Sequence, residues 1–203
     1  METKTGAELH LITLTLGDAG TNPDNHENLG EVREQEWRKG GELIGAASMH
    51  SLGFKDGCLC NQSMIEAGEK VVQLVKSIVG ERENLEIEFM TIDLNGISGH
   101  IDHIVAARAA SWAFYTLKNQ GLPMSRIRFA CLPRDVLPES NVNWLYMEPG
   151  HTPEEIDEII DARQYRDEII EIMRCHHSQR GDGETHIQQR GDSIGLNYFV
   201  VKQ

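Results

Sequence analysis

Hydrophobic and polar positions follow two different periods along this chain, and these predict strands and helices in turn. Strand patterns, with apolar runs or a two-residue alternation, occupy four segments: residues 7–16, 85–93, 126–132 and 193–202. Amphipathic helical patterns, with apolar residues three and four positions apart, occupy three segments: residues 29–44, 63–79 and 101–118. In the third helix the apolar stripe is formed by Ile101, Ile104, Val105, Ala109, Trp112 and Tyr115.

Two longer segments are assigned less simply. Residues 46–61 predict irregular structure, because glycines and two cysteines interrupt any periodicity. Residues 152–177 fit two descriptions. They predict either one long helix, or a short edge strand near residues 156–161 followed by a helix from Tyr165.

Two short motifs are interpreted as structural. Gln-Arg-Gly-Asp occurs twice, at residues 179–182 and 189–192, and both copies predict loops. Cys58 and Cys60 resemble a metal or redox pair but lack companions at ligand spacing. We therefore interpret both cysteines as loop or core residues.

The alternation of strands with helices predicts an α/β fold. Such an order favours a Rossmann-like, mostly parallel sheet with helices on both faces. A length of 203 residues fits a single domain over residues 1–203. In these folds ligands lie beyond the carboxyl ends of the strands, so the loops after the first two strands are the expected site.

Composition and charge exclude several classes of protein. Hydrophobic residues make up 39% of the chain, which excludes wholesale disorder, and the net charge of −13 argues against a nucleic-acid or anionic-membrane binder. No apolar run is long enough to span a membrane, and four cysteines are too few for a disulfide scaffold. We expect a cytoplasmic protein with a small-molecule partner, and the sequence leaves a homo-oligomer open.

Two histidines three residues apart, His100 and His103, begin the third predicted helix. Imidazole is the commonest transition-metal ligand, and Asp102 between the rings is able to orient one of them or to bind metal itself. The spacing alone is weak evidence, because the chain contains nine histidines. The alternative interpretation is two polar residues that cap a helix.

The segment that contains these histidines, GISGHIDH at residues 96–103, resembles the second metal motif of the PIG-L (LmbE-like) zinc-dependent N-deacetylases. Residues 14–20 (LTLGDAG) and 29–37 (LGEVREQEW) resemble the segment after that family's second strand. LGFKDG at 52–57 and CHHSQ at 175–179 also match, so the resemblance covers nearly the whole chain.

The resemblance implies a role for individual residues. His103 matches a zinc ligand, and His100 matches the general acid or oxyanion stabiliser. Asp102 would support the surrounding hydrogen-bond network. Arg33 matches the arginine that holds the polar part of the substrate, although an exposed helix charge is the alternative. His176 matches a position near the cleft and is assigned no chemistry.

The implied activity is metal-assisted amide hydrolysis, in which Zn²⁺ or another divalent ion activates water and an acetyl group leaves an N-acetylglucosamine-type substrate. The partner would be a small N-acetylated amino-sugar conjugate. Ile101 replaces the proline usual between the first His and the Asp of the motif, which changes the helix start but no donor or acceptor side chain.

The chain departs from the family at its beginning. The family's first strand ends in His-Pro-Asp-Asp, which supplies two further zinc ligands and the general base, and no such motif occurs here. Asp24 and His26 imitate it, but they follow the strand at 7–16 and are interpreted as a turn. Residues 1–8 resemble the end of the helix after the motif. We expect an N-terminally shortened deacetylase domain that lacks about 30 residues.

This omission has consequences for the fold and the activity. In a 3-2-1-4-5 sheet the absent strand is central, so strands 9–15 and 85–92 would expose unpaired edges or pair with each other. Such a chain would bind zinc poorly, because one histidine does not make a catalytic site. Two alternatives to an enzyme follow, a non-catalytic carbohydrate-binding protein and a purely structural protein of the same fold.

Overall fold

The computed structural model describes residue 3, residues 6–136 and residues 150–203. The chain forms two compact units. The first unit contains Met1–Gly57 and Ile160–Leu196, and the second contains Cys58–Ile159 and Asn197–Gln203. That residues 1–203 make one deacetylase domain stays a prediction, and each unit is described by itself.

Strands and helices follow one another along the chain in the predicted manner. The strands are β1 (His10–Thr13), β2 (Ser48–Ser51), β3 (Ile87–Ile92), β4 (Met124–Cys131), β5 (Glu158–Asp161) and β6 (Leu196–Lys202). The helices are α1 (Leu29–Ile44), α2 (Asn61–Val79), α3 (Ile101–Asn119), α4 (Arg166–Arg174) and α5 (Arg180–Arg190). The bounds of α1 are those that the periodicity predicts.

The strands form two sheets. β1 and β2 pair in parallel, with His10 opposite Ser48. The other sheet has the order β3-β4-β6-β5, in which β4 is parallel to β3 and antiparallel to β6. A mixed α/β fold is therefore confirmed, whereas the mostly parallel sheet is corrected, because the chain turns back after α5 to bring β6 against β4.

Strands β1 and β3 each have one neighbour among the described residues. β1 pairs with β2 and β3 pairs with β4, and within that part of the chain β1 and β3 do not pair with each other. Every residue of β1 and β2 is half-buried despite the apolar character of β1. By contrast, five of the eight residues of β4 are buried, because it has a neighbour on both sides.

Three local predictions are resolved by the structure. The irregular interpretation of residues 46–61 is wrong in part, because β2 lies inside that range. For residues 152–177, the alternative of an edge strand followed by a helix is confirmed by β5 and α4. The loop prediction for Gln-Arg-Gly-Asp is wrong for both copies, because Arg180 of the first begins α5 and the second lies in the last turn of α5 and the 3-10 helix that follows it.

Contacts with distant residues explain why α5 forms from a sequence that looks like a loop. Arg180, at its start, pairs with Asp24 at 2.6 Å. Glu184, one turn later, pairs with Arg174 of α4 at 2.7 Å. These ion pairs stabilise the first turns of α5, which contain Gly181 and Gly183. The local sequence does not predict either pair.

The buried face of α3 is rotated from the predicted stripe. Val105 and Ala109 are buried as expected, but Ile101, Trp112 and Tyr115 are exposed. The residues buried in addition are Ala107, Ala113, Phe114 and Leu117. The reason is that α3 packs on β3 and β4 and also on α2, so two of its sides are covered.

A buried cation lies in the core of the second unit. Arg128 of β4 is 1% exposed and pairs with Glu88 of β3. Its guanidinium carbon also lies 5.3 Å from the ring centre of Phe199, on the neighbouring β6. Glu88 pairs with Arg126 as well, at 2.9 Å, and Glu158 of β5 lies 3.4 Å from Arg126 and 3.7 Å from Arg128, so two carboxylates face two cations. No helix among the described residues is long and apolar enough to cross a membrane.

Replacement of Gly195 by alanine tests whether the close contact between Gly195, just before β6, and the backbone of Ala162 requires glycine. Its φ is +95°, and a Cβ there would lie 2.8 Å from the carbonyl group of Ala162. We expect Gly195→Ala to lower the free energy of unfolding by about 2–4 kcal/mol, measured by urea titration. Gly121→Ala is the matched control, because its φ is +87° and its Cβ would meet nothing within 4 Å. It should cost only about 1 kcal/mol, and equal losses would contradict the clash.

Candidate active site

The loop between β3 and α3 is a sequence of tight turns that ends at the histidine pair. The N–H of Gly96 donates to the carbonyl of Asp93 at 2.8 Å, which closes the first turn. The side chain of Asn95 accepts from the N–H of Ile97 at 2.7 Å, and Ile97 has a φ of +63°. A positive φ is unusual for a β-branched residue, so this loop holds a strained backbone where α3 begins.

His100 is the N-cap of α3. Its Nδ1 accepts a hydrogen bond from the backbone N–H of Asp102 at 3.2 Å. The neutral ring therefore carries its hydrogen on Nε2, and this nitrogen is a donor. The prediction that His100 caps the helix is therefore confirmed, and the cap uses Nδ1.

His103 lies one turn further along α3 and is exposed. Its Nδ1 is 3.2 Å from the carbonyl oxygen of Gly96, to which the neutral ring donates. Nε2 then carries the lone pair, which is the arrangement in which a histidine binds metal while a backbone carbonyl orients the ring. The ring centres of His100 and His103 are 5.2 Å apart.

The side chain of Asp102 is buried. It is 7% exposed, and its Oδ1 accepts from the backbone N–H of Leu59 at 3.1 Å. This bond joins the start of α3 to the segment that precedes α2. The structure therefore brings His100, Asp102 and His103 together in the second unit, with Asp102 beneath the two rings as a link to the backbone.

The described residues do not fit a complete zinc site. Among residues 3, 6–136 and 150–203, no three His, Cys, Asp or Glu side chains are grouped so that they could hold a metal ion. A catalytic zinc takes about three protein ligands. His103 has the geometry of one such ligand.

Sequence reasoning missed a carboxylate–imidazole pair at this end of the sheet. Asp93 directly follows β3 and is 6% exposed, and its Oδ2 lies 2.6 Å from Nε2 of His151. His151 is fixed in turn by backbone hydrogen bonds to Leu132 and Arg134, just beyond β4. The signal that could have indicated Asp93 is its position, an acidic residue at the carboxyl end of a strand in an α/β fold.

Arg33 lies in the first unit, on α1, and the alternative of an exposed helix charge is wrong. It is 6% exposed, and its guanidinium donates to the carbonyl groups of Gly17 and Thr21, the latter at 2.9 Å. A Cβ at Gly17 or Gly20 would lie 2.7 Å from Arg33, so these glycines make room for the side chain. Arg33 therefore holds the loop after β1.

The family-like segment CHHSQ at residues 175–179 contacts α1 one turn beyond Arg33, at Glu36. Glu36 accepts from the N–H and the hydroxyl of Ser178, both at 2.7 Å, and Ser178 is completely buried. Burial lowers the pKa of His176, whereas the negative charge of Glu36 opposes this shift and the positive charge of Arg33 adds to it. The sequence did not indicate this contact, because Glu36 and Ser178 are 142 positions apart.

The imitation of the missing motif is a turn, as predicted. The side chain of Asn22 bonds both the N–H and the carbonyl of His26, at 2.9 and 2.8 Å. Asn25 between them has a φ of +53°. The carboxylate of Asp24 forms an ion pair with Arg180 of α5.

The fold of this chain is shared with proteins of known structure, and several of these are deacetylases. N,N'-diacetylchitobiose deacetylase from Pyrococcus horikoshii is similar over 98% of this chain and 74% of its own, with a TM-score of 0.62 and 16% identity. A deacetylase of teicoplanin biosynthesis is similar over 98% of this chain and 89% of its own, with a TM-score of 0.60 and 16% identity. A conserved protein from Thermus thermophilus is similar over 98% and 81%, with a TM-score of 0.61 and 19% identity. Identities this low show a common fold.

The family follows from the sequence itself. The model of the PIG-L family, GlcNAc-PI de-N-acetylase, matches residues 1–114, more than half of the chain. This protein therefore belongs to the PIG-L family, which confirms the resemblance seen in the motifs. No curated protein matches it.

The buried role of Arg33 is tested against an exposed arginine on the same helix. We expect Arg33→Met to lower the free energy of unfolding by about 3 kcal/mol, because the carbonyl groups of Gly17 and Thr21 lose the charged donors that hold the loop after β1. Arg38→Met is the control, since Arg38 is 49% exposed and pairs with Glu34, four residues earlier on the same helix. It should change stability by less than about 0.5 kcal/mol, measured by urea titration. Equal effects would contradict the assignment of Arg33 to the loop.

The cysteines differ in predicted reactivity. Cys58 and Cys60 are free and exposed in the loop before α2, and hydrogen bonds from Ser63 lower the pKa of the Cys60 thiol. Burial raises the pKa of Cys131 to about 11. At pH 7 more Cys60 is therefore thiolate, and we expect iodoacetamide to label it first and to leave Cys131 unmodified until the protein unfolds. Peptide mass spectrometry measures the order, with the equally accessible Cys58 as control, and early labelling of Cys131 would contradict it.

Proposed function

We propose that this protein is a hydrolase that removes the acetyl group from an N-acetylglucosamine-type substrate. Membership of the PIG-L family supports an N-deacetylase activity. The observation that carries the proposal is the pair of rings beyond β3, in which one hydrogen bond sets the tautomer of each histidine. His100 then presents a donor and His103 presents a lone pair, within one helical turn.

We assign His100 as the oxyanion stabiliser. Its single ring hydrogen, on Nε2, would donate to the carbonyl oxygen of the acetamide and stabilise the oxyanion as it forms, and the leaving amine would take the proton that the attacking water gives up. Donors of this kind are effective because they are already oriented, and the N-cap bond to Asp102 orients His100 before substrate arrives. Asp102 acts as a positioning residue through its bond to Leu59.

We assign His103 as a ligand for Zn²⁺ or another divalent ion, with Nε2 as the binding atom. Gly96 supports this assignment by holding Nδ1. A zinc ion lowers the pKa of bound water and polarises a carbonyl group. No chemical step is assigned to the metal, because the described residues supply one ligand of the about three that a catalytic zinc takes.

The remaining features of the site concern the substrate. Both terminal nitrogens of Arg33 are occupied by backbone carbonyls, so we propose that it acts on the substrate by shaping residues 17–21. We assign Asp93 and His151 as a positioning pair for the loop that precedes His100. A small N-acetylated amino-sugar conjugate as substrate, a cytoplasmic location and a homo-oligomer stay predictions.

A second candidate function is a non-catalytic carbohydrate-binding protein of the same fold. The observation that favours it is that His103 alone among the described residues has the geometry of a metal ligand at this site. The two functions differ in one product, because only the enzyme releases acetate.

Acetate release from N-acetylglucosamine and N,N'-diacetylchitobiose, with Zn²⁺ present, decides between them. If the chain is the proposed enzyme, it releases acetate, and kcat falls by about 10²-fold or more in His100→Asn, because asparagine keeps the helix cap but loses the imidazole donor. His103→Ala should bind one zinc ion fewer than the parent, measured by elemental analysis. His186→Ala, an exposed histidine of α5, is the control and should change neither quantity.

The contrary outcomes are distinct. Sugar binding by calorimetry without acetate release would establish the non-catalytic function. Acetate release that survives in His100→Asn at the parent rate would leave the enzyme but remove His100 from its mechanism.

A further inference from the structure

A serine hydroxyl lies between two histidine rings on the two-stranded sheet of the first unit. Oγ of Ser48 is 2.7 Å from Nδ1 of His10 and 2.7 Å from Nε2 of His50. His10 is opposite Ser48 in the parallel register, and His50 follows two positions later on β2, so all three project from one face. Neither the proposed deacetylase chemistry nor the family-like motifs involve these side chains.

This face is the one that α1 does not cover. A Cβ on Gly41 of α1 would meet the side chains of Met49 and Leu11, which alternate with the three polar residues along their strands. The His10 side chain is 24% exposed. Ions in solution can therefore reach the rings, while the strands hold the rings in place.

The hydrogen bonds of Ser48 place a lone pair on one ring and a hydrogen on the other. A hydroxyl has a single hydrogen, so Ser48 donates to one ring and accepts from the N–H of the other. Oε2 of Glu8 lies 3.6 Å from Nε2 of His10, which favours the hydrogen of that ring on Nε2 and a lone pair on Nδ1. A carboxylate behind the far nitrogen is the usual companion of a metal-binding histidine.

We propose that His10 and His50 form a two-histidine site for a divalent transition-metal ion such as Zn²⁺, with water in the other coordination positions. Each facing nitrogen is 2.7 Å from the same oxygen, so the two are at most twice that distance apart. Zinc–nitrogen bonds of about 2.0–2.1 Å require a separation of about 3.3 Å in a tetrahedral site. Binding at both nitrogens therefore requires that Ser48 rotate away, that the rings approach each other, and that the hydrogen of the neutral His50 ring lie on Nδ1.

Binding would join β1 to β2 through side chains. An ion that binds the folded state but not the unfolded chain raises the unfolding temperature. The site does not depend on the deacetylase proposal, and Glu8 would strengthen it by orienting His10.

The test uses the full chain with His103→Ala, so that the ligand assigned to the deacetylase site is absent. Zn²⁺ titration by calorimetry should show one bound ion and a higher unfolding temperature. His10→Gln and His50→Gln should each weaken binding at least 10-fold. Ser48→Ala should retain it, because both imidazoles remain. His186→Gln is the matched control on exposed α5 and should bind as the parent does.

A measurement on the unsubstituted chain keeps the proposal falsifiable if a variant fails to fold. Substoichiometric Ni²⁺, which is paramagnetic, should broaden the ring proton signals of His10 and His50 before that of His186. A parent with no bound zinc would overturn the proposal. So would folded His10→Gln and His50→Gln variants that bind zinc undiminished, or nickel broadening that spares these two rings. None of these results affects acetate release, which tests His100.

Discussion

The parallel ladder between β3 and β4 is the constraint from which the candidate site follows. Parallel pairing places the carboxyl ends of both strands at the same edge. The residue after β3 is Asp93, and the chain beyond β4 is bridged at Pro133 to His151, so the two side chains meet at 2.6 Å. The turns that start at Asp93 lead directly into α3, which His100 caps and which contains His103. A different pairing of β3 would separate these groups.

The residues with proposed chemical roles also maintain the structure around them. His100 caps a helix, Asp102 anchors a distant backbone N–H, and Arg33 binds two carbonyl groups of a loop. Buried polar groups need partners, so a charged or polar side chain near a site is usually engaged in this way. For this family member, loss of activity in a variant therefore has meaning only beside a measurement of stability, or with a substitution such as asparagine that keeps the structural bond.

Helix α1 plays the corresponding part in the first unit. Arg33 and Glu36 are one turn apart on the same face, and each binds backbone of a segment far away in sequence. Arg33 contacts the loop after β1, Glu36 contacts the segment before α5, and Gly41 contacts the sheet of β1 and β2. The two glycines Gly40 and Gly41 are buried because the neighbouring segments approach the helix backbone closely.

Local periodicity determined much of this protein by itself. The bounds of α1, the presence of α2, α3, β3 and β4, and the motif GHIDH at the start of α3 all follow from short stretches of sequence, because side-chain spacing reports directly on helix and strand geometry. Only the tertiary structure decided the antiparallel β6, helix α5, the inward turn of Asp102 and Arg33, and the contact between Glu36 and Ser178. Each of these depends on a hydrogen bond or ion pair between residues distant in the chain, and such a bond leaves no periodic trace in either segment.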